Sequence, residues 1–300
     1  IFTLQFHPEV TDTSHGRIML KNFVKVCGII SRWSMENFLE DITKSLNNEV
    51  GRKKVLMFLS GGVDSSVAFA LLNKVLGQDN LLGLYVNNGF MRKHESEVIL
   101  KTYLQLGYKN IQSRNYSSFF LDAIKTQFEP QIKRKIIGAT FIKMRDRFLN
   151  ELNLNPEDWM LGQGTLYPDI IESGGTKHSE VIKFHHNRVQ EVLVLDTLGH
   201  VIEPLKNLYK DEVRKLGTLL GLPESIVWRH PFPGPGLSIN VLCSNGNDSF
   251  PETDITLKKL QNCLKDCECD HEILPVRSVG VQGDQRTYAS PVALLNHPRN

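Results

Sequence analysis

Residues 55–72 read VLMFLSGGVDSSVAFALL, an apolar pentad that runs straight into Ser-Gly-Gly-Val-Asp-Ser-Ser and out into a second apolar stretch. Five consecutive apolar residues, Val55 to Leu59, suit a strand buried on both faces, and the second stretch suits a helix that ends near Leu76 and Gly77. The glycine pair at the junction, Gly61 and Gly62, lets the backbone turn tightly and approach a ligand with no Cβ in the way. The amides then face outward at a helix N-terminus, whose partial positive charge and unpaired N–H groups favour an oxyanion such as phosphate or pyrophosphate. Ser60, Ser65 and Ser66 add hydroxyl donors. Asp64 is the informative member. A carboxylate beside a phosphate repels it unless it orders the loop or meets the phosphates through a divalent cation, for which Mg²⁺ is the economical choice. The lysine of the common P-loop pattern is missing from the stretch, which argues against a kinase or GTPase of that class. A plain strand-to-helix turn with serine caps is the competing reading.

Outward from this junction the same pattern repeats. LLGLYV at 81–86 precedes ESEVILKTYLQLG at 95–107; WMLGQ at 159–163 precedes a polar loop and then KDEVRKLGTLLG at 210–221. Apolar strands alternating with amphipathic helices predict an α/β fold, a parallel twisted sheet flanked by helices, with ligands at the carboxyl ends of the strands. RHPFPGPGL at 229–237 reads as a stiff connector that closes this region, before a polar stretch and the short apolar run ILPVRSVGV at 273–281. At the other end, residues 1–10 read as a strand and loop. GRIMLKNFVKVC at 16–27 reads as a helix, with Ile18, Leu20, Phe23, Val24 and Cys27 near one face. SMENFLEDITKSLNNEVG at 34–51 opens on a loose capping pattern, so a new domain is expected to begin near residue 31.

The 300 residues are 41% hydrophobic and 23% charged, enough for a sizeable core and about two domains. A net charge of +2 is too mild to point to nucleic acid or an anionic membrane. No apolar run reaches the roughly 18 to 20 residues of a membrane span, and the opening IFTLQFHPEV shows no basic leader, so a soluble, unsecreted protein is expected. Because the sequence opens on Ile1, a longer natural chain is also expected. Five cysteines, an odd number, argue against a disulfide framework and for a reducing cytoplasm. The cluster CLKDCECDH at 263–271 brings three thiols near His271, but its spacing fits no common paired zinc pattern, so free thiols are expected.

SGGVDSS, residues 60–66, resembles the pyrophosphate-binding loop of the ATP pyrophosphatases, enzymes that split ATP between its α and β phosphates. NAD synthetase, argininosuccinate synthetase, asparagine synthetase and tRNA-thiolating enzymes are of this kind. QFHPEV at 5–10, with LKNF at 20–23, resembles the closing segment of a class I glutamine amidotransferase domain. That resemblance implies His7 as general base and Glu9 as the group that orients it, with the nucleophilic cysteine expected upstream in a Gly-x-Cys-x-Gly elbow. Glutaminase followed by pyrophosphatase is the arrangement of the GMP synthase family. NNGFMRK, KRKIIG, GQGTLYPDIIES, IKFHHN, VIEPLK, KDEVRKLG, RHPFPGPGL and SVGVQGDQRTY resemble that family in turn, so the likeness covers nearly the whole sequence.

The resemblance implies an adenine nucleotide alpha hydrolase-like fold in three parts: residues 1–30 as the end of a glutaminase domain, 31–237 as the ATP pyrophosphatase domain, and 238–300 as an incomplete α+β dimerisation domain. It implies conversion of XMP, ATP and glutamine or ammonia to GMP, AMP and pyrophosphate through an adenylated XMP, in the cytoplasm, by a homodimer carrying an upstream glutaminase domain. Ser60, Gly61, Gly62, Val63, Asp64, Ser65 and Ser66 would hold ATP and pyrophosphate, with Asp64 catalytic and on Mg²⁺. Arg134 and Asp284 would bind XMP, and Lys183, His185 and His186 would belong to a lid.

Two departures stand out. Asn87 occupies a position where the family has aspartate, which leaves the adenosine contact open. The family's Lys-Pro-Pro and Ile-Glu-Trp-Glu signatures are missing and residues 254–272 fit poorly, so either omitted residues or a truncated chain is expected. Two other readings compete: a different ATP pyrophosphatase, of the NAD synthetase or tRNA-modifying type, and a nucleotide-binding module without catalysis.

Overall fold

The computed structural model describes residues 3–10, 12–30, 33–172, 190–232, 234–241, 243, 254–265, 270–274, 276–282 and 285–295. The chain divides into two units, Ile1–Asp41 and Ile42–Asn300. In the first, a strand is expected within residues 1–10; among its described residues, 3–10, none forms, and they are loop and turn. Among the described residues of this unit there is no second strand to complete a ladder, and an extended segment alone has nothing to hold it. Helix α1 (Gly16–Val26) opens on a glycine because the Pro8 carbonyl occupies the place of a β-carbon. Helix α2 (Met35–Val50) starts at Ser34, whose hydroxyl accepts the Asn37 N–H at 3.2 Å, and is followed by Gly51 at φ +58°.

The second unit is built on a five-stranded parallel sheet, as the alternation of strands and helices predicts. Its strands are β1 (Lys54–Leu59), β2 (Leu81–Asn87), β3 (Ile111–Asn115), β4 (Trp159–Gly162) and β5 (Val201–Ile202), in the order β3-β2-β1-β4-β5. Leu56 of β1 pairs with Leu82 on one side and Leu161 on the other. Helices α3 (Val63–Leu76), α4 (Glu95–Gln105), α5 (Ser117–Ile124) and α6 (Pro130–Glu151) come next in the chain. They are followed by α7 (Tyr167–Glu172), α8 (Gln190–Thr197), α9 (Lys210–Leu219) and α10 (Glu224–Val227). Beyond α11 (Leu237–Asn240) and α12 (Asp254–Cys263), strands β6 (Asp270–Ile273) and β9 (Val292–Leu295) pair antiparallel, as do β7 (Ser278–Gln282) and β8 (Gln285–Ala289).

Side chains alternate across the sheet, so its two faces carry different cores. Leu56, Leu84 and Val86 pack with Phe120 of α5 and with Ile137, Met144 and Phe148 of α6. On the other face α3 lies so close that a β-carbon at Gly83 would stand 2.9 Å from the Phe69 ring. Gly217 of α9 does the same for Val67, again at 2.9 Å. Val67, Phe69, Leu71 and Leu72 of α3 are wholly buried, each contributing roughly 1.5–3 kcal/mol of apolar burial. That packing fixes α3, and with it the junction that precedes it. Among the described residues no helix is long and apolar enough to cross a membrane, and Cys27, Cys243 and Cys263 are free.

Candidate active site

The strand order reverses direction between β1 and β4, and in open α/β sheets the crevice outside the carboxyl ends at such a point is where ligands bind. A cavity of about 350 Å³ opens there, lined by Ser60, Gly62, Val63, Asp64 and Ser65 after β1 and by Gln163 and Gly164 after β4. Gly61 takes φ +72°, a conformation that L side chains rarely adopt, and Gly62 then serves as the N-cap of α3. The first amides of α3 have no intrahelical acceptor and carry the positive end of its dipole. Gly164 keeps the β4 loop tight against this turn, since a β-carbon there would meet the Asp64 carbonyl carbon at 3.0 Å and the Ser65 nitrogen at 3.1 Å.

The three serines divide their work. Ser60 Oγ accepts the Gly62 N–H at 3.2 Å and lies 3.0 Å from Ser65 Oγ, which donates to the Gly62 carbonyl at 3.1 Å. Ser66 is fully buried and does not line the cavity. Its hydroxyl donates to the Gly62 carbonyl at 2.8 Å, which leaves Tyr103 Oη, also at 2.8 Å, to donate to it. Burial pushes the Tyr103 hydroxyl up to about 12, so it is a permanent donor there.

Asp64 stands in the first turn of α3 with both carboxylate oxygens 2.7 Å from Lys210 Nζ. Burial raises its carboxyl above the usual range, Lys210 opposes that, and the negative charge of Asp169 adds to it. Arg214, one turn beyond Lys210 on α9, lines the same cavity, lies 4.8 Å over the Trp228 ring, and has its Nε buried without a partner among the described residues. The cation missing from the 60–66 stretch is therefore supplied by a helix some 146 residues further along the chain. Among the described residues no group of three or more His, Cys, Asp or Glu forms a metal cage. Asp64, with Asp169 lining the same cavity, fits one or two carboxylate contacts to a Mg²⁺ that takes its other oxygens from phosphates and water.

The other sequence-derived residues fall as follows. His7 Nδ1 and Glu9 Oε1 meet at 2.8 Å, with side chains 79% and 60% exposed. Glu9 is held below the usual carboxylate range by a hydrogen bond from its own backbone and by His7. Arg134 is half-buried on α6, four residues before Gly138, which lines the cavity. Asn87 Oδ1 accepts the Gly89 N–H at 3.0 Å and shapes a turn, whereas its neighbour Asn88 lines the cavity and is buried. Asp284, Lys183, His185 and His186 lie outside the described residues. Lys210, Arg214, Asp169, Arg229, Glu95 and Asn88 were given no site role in sequence, although all but Glu95 lie in segments quoted for the family resemblance. Lys210 alone carries a local signal, since a lysine in the first turn of a helix opposes the dipole and needs some other reason to be there.

An NAD synthase family model matches residues 34–154. The chain is 45% identical over 299 residues to a probable GMP synthase (glutamine-hydrolyzing) of Leptospira interrogans, a match covering 98% of this chain and 48% of that protein. It is 43% identical over 302 residues to a GMP synthase (glutamine-hydrolyzing) of Carboxydothermus hydrogenoformans, covering 98% of this chain and 58% of that one. The chain is similar to GMP synthases over nearly its whole length. It spans about half the length of the curated GMP synthases it matches. Among solved structures it superposes on an NMN synthetase from Francisella tularensis with a TM-score of 0.50 at 13% identity, over 78% of this chain and 95% of that one. An NH3-dependent NAD synthetase from Campylobacter jejuni gives 0.50 at 15% identity, over 78% and 86%. At such identities the superpositions speak for the shared sheet fold.

Proposed function

We propose that this chain carries the ATP pyrophosphatase half of a GMP synthase, a carbon–nitrogen ligase that makes GMP, AMP and pyrophosphate from XMP, ATP and ammonia drawn from glutamine. The 2-oxo oxygen of XMP attacks the α-phosphorus of ATP, the α–β bridging bond breaks, and pyrophosphate leaves with the bond's electrons. Ammonia then adds at C2 of the adenylated base, AMP departs, and the surplus proton goes to solvent. The observation that carries this reading is the cavity at the β1–α3 turn, lined by the first residues of α3 together with Lys210 and Arg214. Those groups stabilise charge as it develops on the departing pyrophosphate. A Mg²⁺ held by Asp64 would share that charge. Lys210 has a role at each stage: it neutralises Asp64 before nucleotide enters and has a phosphate to turn to afterwards.

Arg134, beyond the cavity wall on α6, is our choice for the XMP phosphate, because a guanidinium pairs with phosphate oxygens in a fork. Asp284 and the segment with Lys183, His185 and His186 keep the XMP and lid roles that the resemblance implies. The division into 1–30, 31–237 and 238–300, the homodimer, the upstream glutaminase domain served by His7 and Glu9, and the cytoplasmic location belong to the same proposal. The test is ATP–pyrophosphate exchange by the purified chain. Exchange that requires XMP is expected; exchange that requires deamido-NAD or a tRNA instead would overturn the GMP synthase reading. The NAD synthase match at 34–154 is the one finding that favours the first of those alternatives.

A further inference from the structure

Beside the glycine pair, and lining the same cavity through Arg229 and Glu95, stands an ionic cluster to which the proposed reaction assigns no role. The Gly61 carbonyl accepts from Arg229 Nη1 at 2.8 Å, and the same guanidinium donates through Nη2 to Glu95 Oε1. Glu95 has a side chain only 5% exposed and is the first residue of α4, where the helix dipole favours a carboxylate. It also accepts from Arg92, at 3.0 Å from the main-chain N–H, 3.2 Å from Nε and 3.3 Å from Nη2. Arg92 in turn lies 4.4 Å over the ring of Phe232. The cluster thus ties the Pro/Gly-rich segment and α4 to a single carbonyl of the loop.

That carbonyl matters because a peptide is a rigid plane. With the Gly61 oxygen on Arg229, the Gly62 N–H points the opposite way, to Ser60 Oγ at the cavity wall. Turned over, the same peptide would offer oxygen lone pairs to an incoming anion. A glycine pair allows both orientations, so the loop's own sequence does not choose between them.

We infer that Arg229, held in place by Glu95, is a positioning residue that keeps the Gly61 carbonyl turned away from the pyrophosphate, with the Gly62 N–H on the opposite side at Ser60. The inference rests on the ATP pyrophosphatase reading of the cavity. It opposes the simpler idea that Arg229, which also lines the cavity, is a phosphate ligand. The two ideas differ in what Glu95 does. If Arg229 binds phosphate, Glu95 competes with the anion, and neutralising it tightens binding. If Arg229 positions the peptide, neutralising Glu95 loosens the clamp and weakens binding.

The experiment is calorimetric titration of the chain with magnesium pyrophosphate, for the parent, Arg229→Gln, Arg229→Lys, Glu95→Gln and the Arg229→Gln/Glu95→Gln double variant. Thermal unfolding confirms that each is folded, and amide hydrogen exchange of residues 61–66 is followed without ligand. Positioning predicts about tenfold weaker binding for Arg229→Gln and for Glu95→Gln, with the double variant no weaker than Arg229→Gln alone. It predicts weakening for Arg229→Lys as well, since a lysine keeps the charge but lacks the fork that spans Gly61 and Glu95. Loop exchange should be faster in every variant. Tighter binding by Glu95→Gln, parent-like binding by Arg229→Lys, or unchanged loop exchange would overturn the inference. A parent that binds no pyrophosphate would overturn the nucleotide reading instead, and the ligand-free exchange would still decide whether Arg229 holds the peptide.

Discussion

Two close side-chain pairs in this molecule look alike on paper and are unlike in kind. His7 and Glu9 meet at 2.8 Å and Asp64 and Lys210 at 2.7 Å. The first pair is two residues apart in one loop and mostly in water, at 79% and 60% exposure. The second joins residues 146 positions apart at the mouth of a cavity, at 33% and 41% exposure. Solvent screens the first pair and leaves it little hold on either side chain. The fold itself brings the second pair together, at a place where burial makes a bare carboxylate unfavourable. The lesson is that contact distance says little about function here; the site lies where the fold accepts an electrostatic cost.

The largest effect expected from this contrast is at Asp64. Asp64→Asn should lower XMP-dependent AMP formation by roughly 10² to 10³, the scale of losing one charge-stabilising group, while the thermal midpoint stays level or rises. The stability half of that prediction follows from the raised carboxyl: an amide of the same shape suits a part-buried position better than a charge. A clear fall in the midpoint would mean that Asp64 is a structural anchor and would break the comparison. Lys210→Met tests the same pair from the other side. Burial already lifts the folded Asp64 pKa above its unfolded value, and removing Lys210 lifts it further. Such a group favours the folded state below the unfolded value, about 3.9, and loses that contribution as pH rises through the folded one. The midpoint difference between Lys210→Met and the parent should therefore widen from pH 4.5 to pH 8; a constant difference would show that the pair is electrostatically idle.

The contrast also explains what could be read from the residue order. Strands β1, β2 and β4 and helices α3, α4 and α9 were legible because each carries its own apolar pattern. Strand β3, with the polar sequence IQSRN, and the two-residue β5 are strands only because a neighbour completes them. The converse failure is the strand expected at 1–10, which had the alternation and, among the described residues, no partner. The same division runs through the site. The residues 60–66 are contiguous, so their chemistry shows locally, whereas Lys210, Arg214, Arg229 and Glu95 reach the loop only through the order of the sheet. Among these, Lys210 alone leaves a local trace, in its clash with the dipole of its own helix.

A smaller effect is expected just behind the loop. Tyr103 is wholly buried and its hydroxyl serves Ser66, which keeps its own bond to the Gly62 carbonyl. Tyr103→Phe removes one hydrogen bond and leaves the cap intact, so denaturant unfolding should show a loss of about 1 kcal/mol, with pyrophosphate affinity changed by no more than about twofold. A loss of binding as large as that of Asp64→Asn would place the tyrosine among the groups that set the loop, and would extend the site inward.

The smallest effect should come from the first pair. Glu9 is lowered chiefly by its own backbone hydrogen bond, with His7 second, so the shift is mostly not a property of the pair. By sign, a carboxylate held low favours the folded state above its unfolded value and loses that contribution as pH falls. At 60% exposure, however, solvent does nearly as well for the charge. Glu9→Gln should therefore leave the thermal midpoint unchanged at pH 7 and at pH 4.5, and leave ammonia-driven AMP formation unchanged too. A pH-dependent drop in the midpoint would show that the 2.8 Å contact is held by more than its loop, and the difference between the two pairs would then be one of degree.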